Sequence, residues 1–216
     1  NRFFPLLAPY VYPDRSLSDV RELLLTFKSI HDFQADTMLS LNEQIVKQTI
    51  DEFTCCGLTR LSPLRPYLYV SNHRDIMLDA SLLQYYLLTH GFDTSEITFG
   101  ANLMQNQLVI DIGKCNKMFR VERPGGSLRE FYKKSVHLSQ YLHYTITQQH
   151  RSVWIAQRNG RTKDGMDTTD QGIIKMFGMA YPEDKIRAIS DLHIVPVAVS
   201  YEWEPCDILK TLELYA

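Results

Sequence analysis

Apolar side chains follow a helical period over the first quarter of this chain and then fall into short runs separated by further helical stretches. Val20, Leu23, Leu24, Phe27 and Ile30 mark one face of a helix. Ser18 precedes them as a candidate N-cap, and Asp19 supplies a first-turn carboxylate. Met38, Leu41, Ile45, Ile50 and Phe53 predict a second helix that ends near Gly57. Ahead of both, Phe3, Phe4, Pro5, Pro9, Tyr12 and Pro13 predict an irregular, aromatic arm over the first 15 residues. Residues 16–56 thus read as a helical pair.

Beyond that pair the pattern alternates. Apolar runs at 67–71, 97–99, 118–122, 152–156 and 194–200 predict strands. Between them, helical spacing predicts helices over 76–89, 103–112 and 172–179, the first stopped by Gly91. A long helix bearing Leu128, Phe131, Leu138 and Leu142 starts after a cap at Ser127. Strands and helices in this alternation imply the α/β class: a mostly parallel sheet flanked by helices, preceded by the N-terminal helical pair. The organisation expected is an arm and helical pair over 1–57 and an α/β domain over 58–216. The last residues, Leu214-Tyr215-Ala216, follow soon after a strand-like stretch, which leaves room for a native terminus further on.

Composition narrows the class. At 216 residues, 44% hydrophobic and 22% charged, the chain fits one packed domain with a small helical appendage. A net charge of −2 argues against a nucleic-acid binder. No apolar run approaches the roughly 20 residues of a spanning helix, and no signal peptide is visible. Cys55, Cys56, Cys115 and Cys206 have no metal-type spacing and read as reduced thiols of a cytosolic protein.

The densest chemistry lies in Asn72-His73-Arg74-Asp75-Ile76-Met77-Leu78-Asp79. It joins the strand at 67–71 to the helix at 76–89, so His73 leaves the carboxyl end of a strand, the edge where α/β sheets bind ligands. A carboxylate nearby would hold the imidazole in one tautomer as a general base. Taken singly, each residue has a plainer use. His73 can brace a loop, Asp75 suits a helix start, and Asp79 can sit solvated on a helix.

This octapeptide resembles the signature of the glycerolipid acyltransferase superfamily, the glycerol-3-phosphate and lysophosphatidate acyltransferases. Three further segments resemble that superfamily's other blocks in order, so the resemblance covers about residues 60–205. Gly113-Lys114-Cys115-Asn116-Lys117-Met118-Phe119-Arg120-Val121-Glu122-Arg123 looks like the block whose arginine binds the acceptor's phosphate, with Arg123 in that place. Seven basic residues against two acidic ones between Lys114 and Lys134 mark the same stretch, although Lys133 and Lys134 read as a solvated face. Trp154-Ile155-Ala156-Gln157-Arg158-Asn159-Gly160-Arg161-Thr162 resembles the strand followed by proline-glutamate-glycine-threonine-arginine-serine, but the glutamate is absent. Here Gly160 would let the backbone approach a ligand, and Arg161 and Thr162 would contact phosphate. Ile194-Val195-Pro196-Val197-Ala198-Val199-Ser200-Tyr201 is similar to the apolar, proline-containing strand of the acyl channel. The family places four residues between histidine and aspartate, whereas five separate His73 from Asp79. Asp79 is the favoured partner because it stands beside the apolar run as the family's aspartate does; Asp75 is the competitor.

The resemblance implies transfer of a fatty-acyl group from an acyl thioester to a hydroxyl of glycerol phosphate or a lysophospholipid. His73 would be the base and Asp79 its partner, with Arg120, Arg123, Gly160 and Arg161 binding substrate. No metal or resident cofactor is implied; acyl-CoA or acyl carrier protein would be the co-substrate. Two alternatives stay open: an inactive lipid-binding protein on the same fold, and an acyltransferase with a non-phosphate lipid acceptor. Such an enzyme is expected in the cytoplasm, peripheral at the inner face of a membrane, with Phe3, Phe4, Leu6, Leu7, Tyr10 and Tyr12 as an interfacial anchor beside the basic stretch. Other readings fail. His73-Arg74-Asp75 opens a protein-kinase catalytic loop, but Ala80 stands where its asparagine is required, and no glycine-rich loop or Asp-Phe-Gly occurs. No Gly-x-Ser-x-Gly suggests a serine hydrolase, and the histidines do not pair at metal-ligand spacing.

Overall fold

The structure is a computed structural model that describes residues 3–122 and 126–215. Five strands, β1 (Leu68–Ser71), β2 (Glu96–Gly100), β3 (Met118–Val121), β4 (Val153–Ala156) and β5 (Ile194–Val197), form one sheet in the order β3-β2-β4-β1-β5. Every pairing is parallel, so the sheet is wholly rather than mostly parallel. N-terminal to it lie α1 (Phe4–Val11), α2 (Leu17–Thr26) and a run of α3 (Ile30–Phe33), a π-helical turn (Gln34–Met38) and α4 (Leu39–Thr49). The sheet is flanked by α5 (Leu78–Thr89), α6 (Gln107–Cys115), α7 (Leu128–Thr147), α8 (Gln171–Phe177), α9 (Lys185–Ser190) and α10 (Asp207–Tyr215). The protein is an α/β fold with N-terminal helices.

Burial explains why the strands read as unbroken apolar runs. Val153, Trp154 and Ile155 of central β4 are all buried, because helices cover both faces of a parallel sheet. Successive β1 residues point to opposite faces. Leu68 packs with Leu142, Ile146 and Phe177 of α7 and α8. Tyr69 packs with Leu87 of α5 and with Trp154. Pro196 is tolerated because β5 is an edge strand, where one missing N–H disrupts least.

Several sequence expectations are corrected. The arm is helical over Phe4–Val11: Pro5 sits in its first turn, where a missing N–H costs nothing, and Ala8 and Tyr12 bury one face against Val20. The cap of α2 is Ser16, whose hydroxyl accepts from Asp19 N, not Ser18. Ile30 belongs to the second helical run, because Ser29 and Asp32 form a capping box there. That run ends at Thr49 rather than near Gly57. Asn106 delays α6 by accepting from Val109 N. The sequence reading missed α9, which is too short to show a period, and α10. Ser127 caps α7 as expected, in a capping box with Glu130.

Candidate active site

Because all strands run the same way, the segments after β1, β3, β4 and β5 gather at one sheet edge. Two residues beyond β1, His73 Nδ1 lies 2.9 Å from Asp79 Oδ2. The same oxygen accepts from the backbone N–H of Arg74 at 2.7 Å and of Asp75 at 3.0 Å. The chain therefore folds back around the Asp79 carboxylate, which absorbs the fifth residue between histidine and aspartate. Asp79 sits in the first turn of α5 with its side chain wholly buried, and the His73 side chain is 16% exposed. A carboxylate acceptor places the imidazole proton on Nδ1 and leaves Nε2 with its lone pair.

Asp75 does not touch the imidazole. Its Oδ1 accepts from the N–H groups of Met77 and Leu78, both at 2.8 Å, which tie down the start of α5. Its Oδ2 accepts from the Cys206 thiol at 3.6 Å.

Three neighbours that sequence reasoning did not single out complete the setting. Tyr201 Oη donates to Asp79 Oδ1 at 2.8 Å. Burial, followed by the negative Asp79, pushes this phenol well above the ordinary tyrosine range, so it stays a donor. Arg74 bridges two later loops through Asp167 at 2.9 Å and Glu204 at 3.1 Å. Asn72 bonds both backbone groups of Val199, at 2.8 and 2.7 Å, and also reaches Asp167. No local signal marks Tyr201 or Asn72, since each acts across more than a hundred residues of chain.

The loop after β4 is held beside His73 by two backbone bonds, Gln157 N to Ser71 O at 2.7 Å and Thr162 N to His73 O at 3.1 Å. Thr162, read as a phosphate contact, is fully buried in this packing. Gly160 has φ +78° with open space where a Cβ would stand, so backbone conformation rather than close approach requires glycine there. Arg158 and Arg161 make no hydrogen bond or ion pair to the described residues and line a cleft of about 1160 Å³ that also includes His73. Arg120 lines it too, but its Nε is paired with Glu122 at 2.6 Å. That hydrogen bond holds the Glu122 carboxyl below its usual range. Lys133 and Lys134 are exposed, as expected of a solvated face, and also line the rim of this cleft. Lys117 is instead structural, with Nζ bound to Asp93 and Thr94. Arg123 lies outside the described residues.

Elsewhere the cleft is apolar, with Ile97, Phe99, Met118, Phe119, Phe131 and Leu138 among its walls. Its volume lies a little above the roughly 300–1,000 Å³ usual for ligand sites. Trp154 stands edge-on to the His73 ring at 5.9 Å between centroids and 75° between planes. Among the described residues no cluster of three or more His, Cys, Asp or Glu could hold a metal ion. No protein-family model matches the chain, and no curated protein matches it.

Proposed function

We propose that this protein is an O-acyltransferase, moving a fatty-acyl group from an acyl thioester to a hydroxyl of glycerol phosphate or a lysophospholipid. The observation that carries the reading is the His73–Asp79 pair opening onto a large apolar cleft that also presents unpaired guanidiniums. A fatty-acyl chain needs the apolar walls, and an acceptor phosphate needs the cations. In the proposed reaction His73 Nε2 takes the proton of the acceptor hydroxyl as its oxygen attacks the thioester carbonyl. Asp79 supports the charge that forms on the imidazole. The carbon–sulfur bond then breaks, and His73 returns the proton to the departing thiolate. Arg161, with Arg120, Arg158 and Arg123, would hold the acceptor phosphate.

The donor is an acyl-CoA or an acyl carrier protein, and the acceptor is expected to present its hydroxyl from a membrane surface. No described helix is long and apolar enough to cross a membrane. Leu6, Leu7 and Tyr10 of α1 are exposed, whereas Tyr12 is buried and Phe4 packs inward. A peripheral anchor would therefore use the first three, and serine substitutions there, rather than at Phe3 and Phe4, are the ones to test. Vesicle binding should rise with anionic lipid and weaken in the triple variant.

The decisive experiment is a mass-spectrometric transfer assay across thioester donors and phosphate or non-phosphate acceptors. His73→Ala should lose roughly 10²–10⁴-fold in turnover with the circular dichroism spectrum unchanged. Near-normal turnover in that variant removes His73 from the mechanism. Lipid binding without turnover in the unaltered protein moves the chain to the inactive, lipid-binding reading.

A further inference from the structure

The segment after β5 is fastened to the 72–79 turn at four places: Asn72 to Val199, Tyr201 to Asp79, Glu204 to Arg74 and Cys206 to Asp75. Three of these brace the turn, and only the Tyr201 contact reaches the pair itself. The two oxygens of Asp79 are served very unequally. Oδ2 accepts from His73, Arg74 and Asp75, whereas Tyr201 is the one partner of Oδ1 among the described residues. Among the described residues no cation pairs with this carboxylate, and Arg74 is turned to Asp167 and Glu204. The Asp75 carboxylate is likewise turned away, to the helix start and Cys206. Neutral donors and the imidazole alone therefore fix the carboxylate's orientation. In a wholly buried side chain, an oxygen stripped of its donor is costly, so the group would rotate to find another.

We propose that Tyr201 is a positioning residue of the His73–Asp79 pair: its phenol locks Asp79 from the side opposite the imidazole, presents Oδ2 to Nδ1, and tempers how strongly the carboxylate draws the Nδ1 proton. This rests on the acyl-transfer reading only for its kinetic consequence. The geometric claim concerns the pair alone. Tyr201 does not line the cleft, so it should act on turnover and leave substrate affinity alone.

The test is made on the full chain labelled with ¹⁵N-histidine, the His73 signals being assigned with His73→Gln. Two variants bracket the phenol: Tyr201→Phe deletes the donor, and 3-fluorotyrosine at position 201 strengthens it with little change of size. The Nδ1 resonance of His73 should move in opposite directions in the two. Tyr201→Phe should lower kcat roughly 5- to 50-fold with KM within about twofold, from the cost of an unsatisfied buried acceptor. The fluorinated protein should stay within a few-fold of wild type. A His73 resonance that ignores both changes, or follows both in the same direction, overturns the proposal. So does a Tyr201→Phe effect confined to KM. If Tyr201→Phe does not fold, the fluorotyrosine protein decides alone: an upfield move of the His73 Nδ1 proton, from a carboxylate that draws it less, supports the proposal, and no move or a downfield one overturns it. Absence of acyl transfer with every donor and acceptor would sink the functional reading, while the resonance, which needs no substrate, still decides the role of Tyr201.

Discussion

Both oxygens of Asp79 are hydrogen-bonded and buried, whereas Arg158 and Arg161, lining the same cleft as His73, make no hydrogen bond or ion pair to the described residues. At the carboxyl edge of β1, two later stretches of chain converge on one turn, and its polar groups are largely answered by one another. Elsewhere in the cleft the cations lack a direct partner or, like Arg120 and Lys134, share the half-buried carboxylate of Glu122. On the proposed reading, the reacting pair is assembled before any ligand arrives, and the grip on an anion is not. Preorganisation lowers the barrier to chemistry, while unpaired cations leave binding energy to be released only when the right charge enters.

The largest expected effect strikes the assembled side. Asp79→Asn keeps the shape but withdraws the charge facing Nδ1, and kcat should fall by roughly two to four orders of magnitude. Asp75→Asn, which can still cap α5, should leave turnover near wild type. The opposite ranking in steady-state kinetics would show that the imidazole's working partner has been misidentified. On the open side, Arg161→Ala should raise KM for a phosphate-bearing acceptor roughly 10- to 100-fold, the usual range for a charged hydrogen bond, with kcat little changed. The rise should shrink at high salt. A kcat effect as large as that of Asp79→Asn would erase the distinction between the two sides.

A smaller effect concerns the scaffold beneath α7. His143 is buried, with Nε2 3.4 Å from Phe177 O and the ring against Tyr181, and burial lowers its pKa below the ordinary 6.5. Its neutral form is therefore favoured in the folded state. The stability it confers is present above about pH 6.5 and is lost as pH falls below that value towards the folded-state pKa. Thermal melting should show an acid-side drop that His143→Phe flattens; an unchanged pH slope in the variant would mean the group does not govern it. The smallest signal is optical. Only two tryptophans exist, Trp154 buried against His73 and Trp203 80% exposed. In Trp203→Phe, a bound acyl thioester should alter the remaining emission, and a silent titration at saturating donor would place the ligand away from His73.

The alternation of periods made the sheet legible, and every strand lies within two or three residues of its predicted bounds. That signal is strong because the runs are buried on both faces. The His73–Asp79 contact was legible as well, since the motif and its helix are local. What stayed hidden has a different physics. Tyr201 and Asn72 work through partners far along the chain, where no spacing rule reaches. The α1 helix was obscured by its prolines: Pro5 costs little in the first turn, whereas Pro9 lies in the helix interior, where proline is normally a breaker. Lys117 and Lys133 look alike in sequence; only packing separates the structural ammonium from the one in the cleft.

The separation of 122 residues between Tyr201 and Asp79 has a consequence for how the molecule comes into being. The turn carrying His73 is synthesised well before Val199, Tyr201, Glu204 and Cys206, the residues that brace it. Contacts this distant form only after the intervening chain has closed its loops, so they are late steps of folding. A nascent chain can hold the histidine and aspartate long before it holds them in register. On the proposed acyl-transfer reading, activity would report that synthesis has passed β5 and that its following segment has docked.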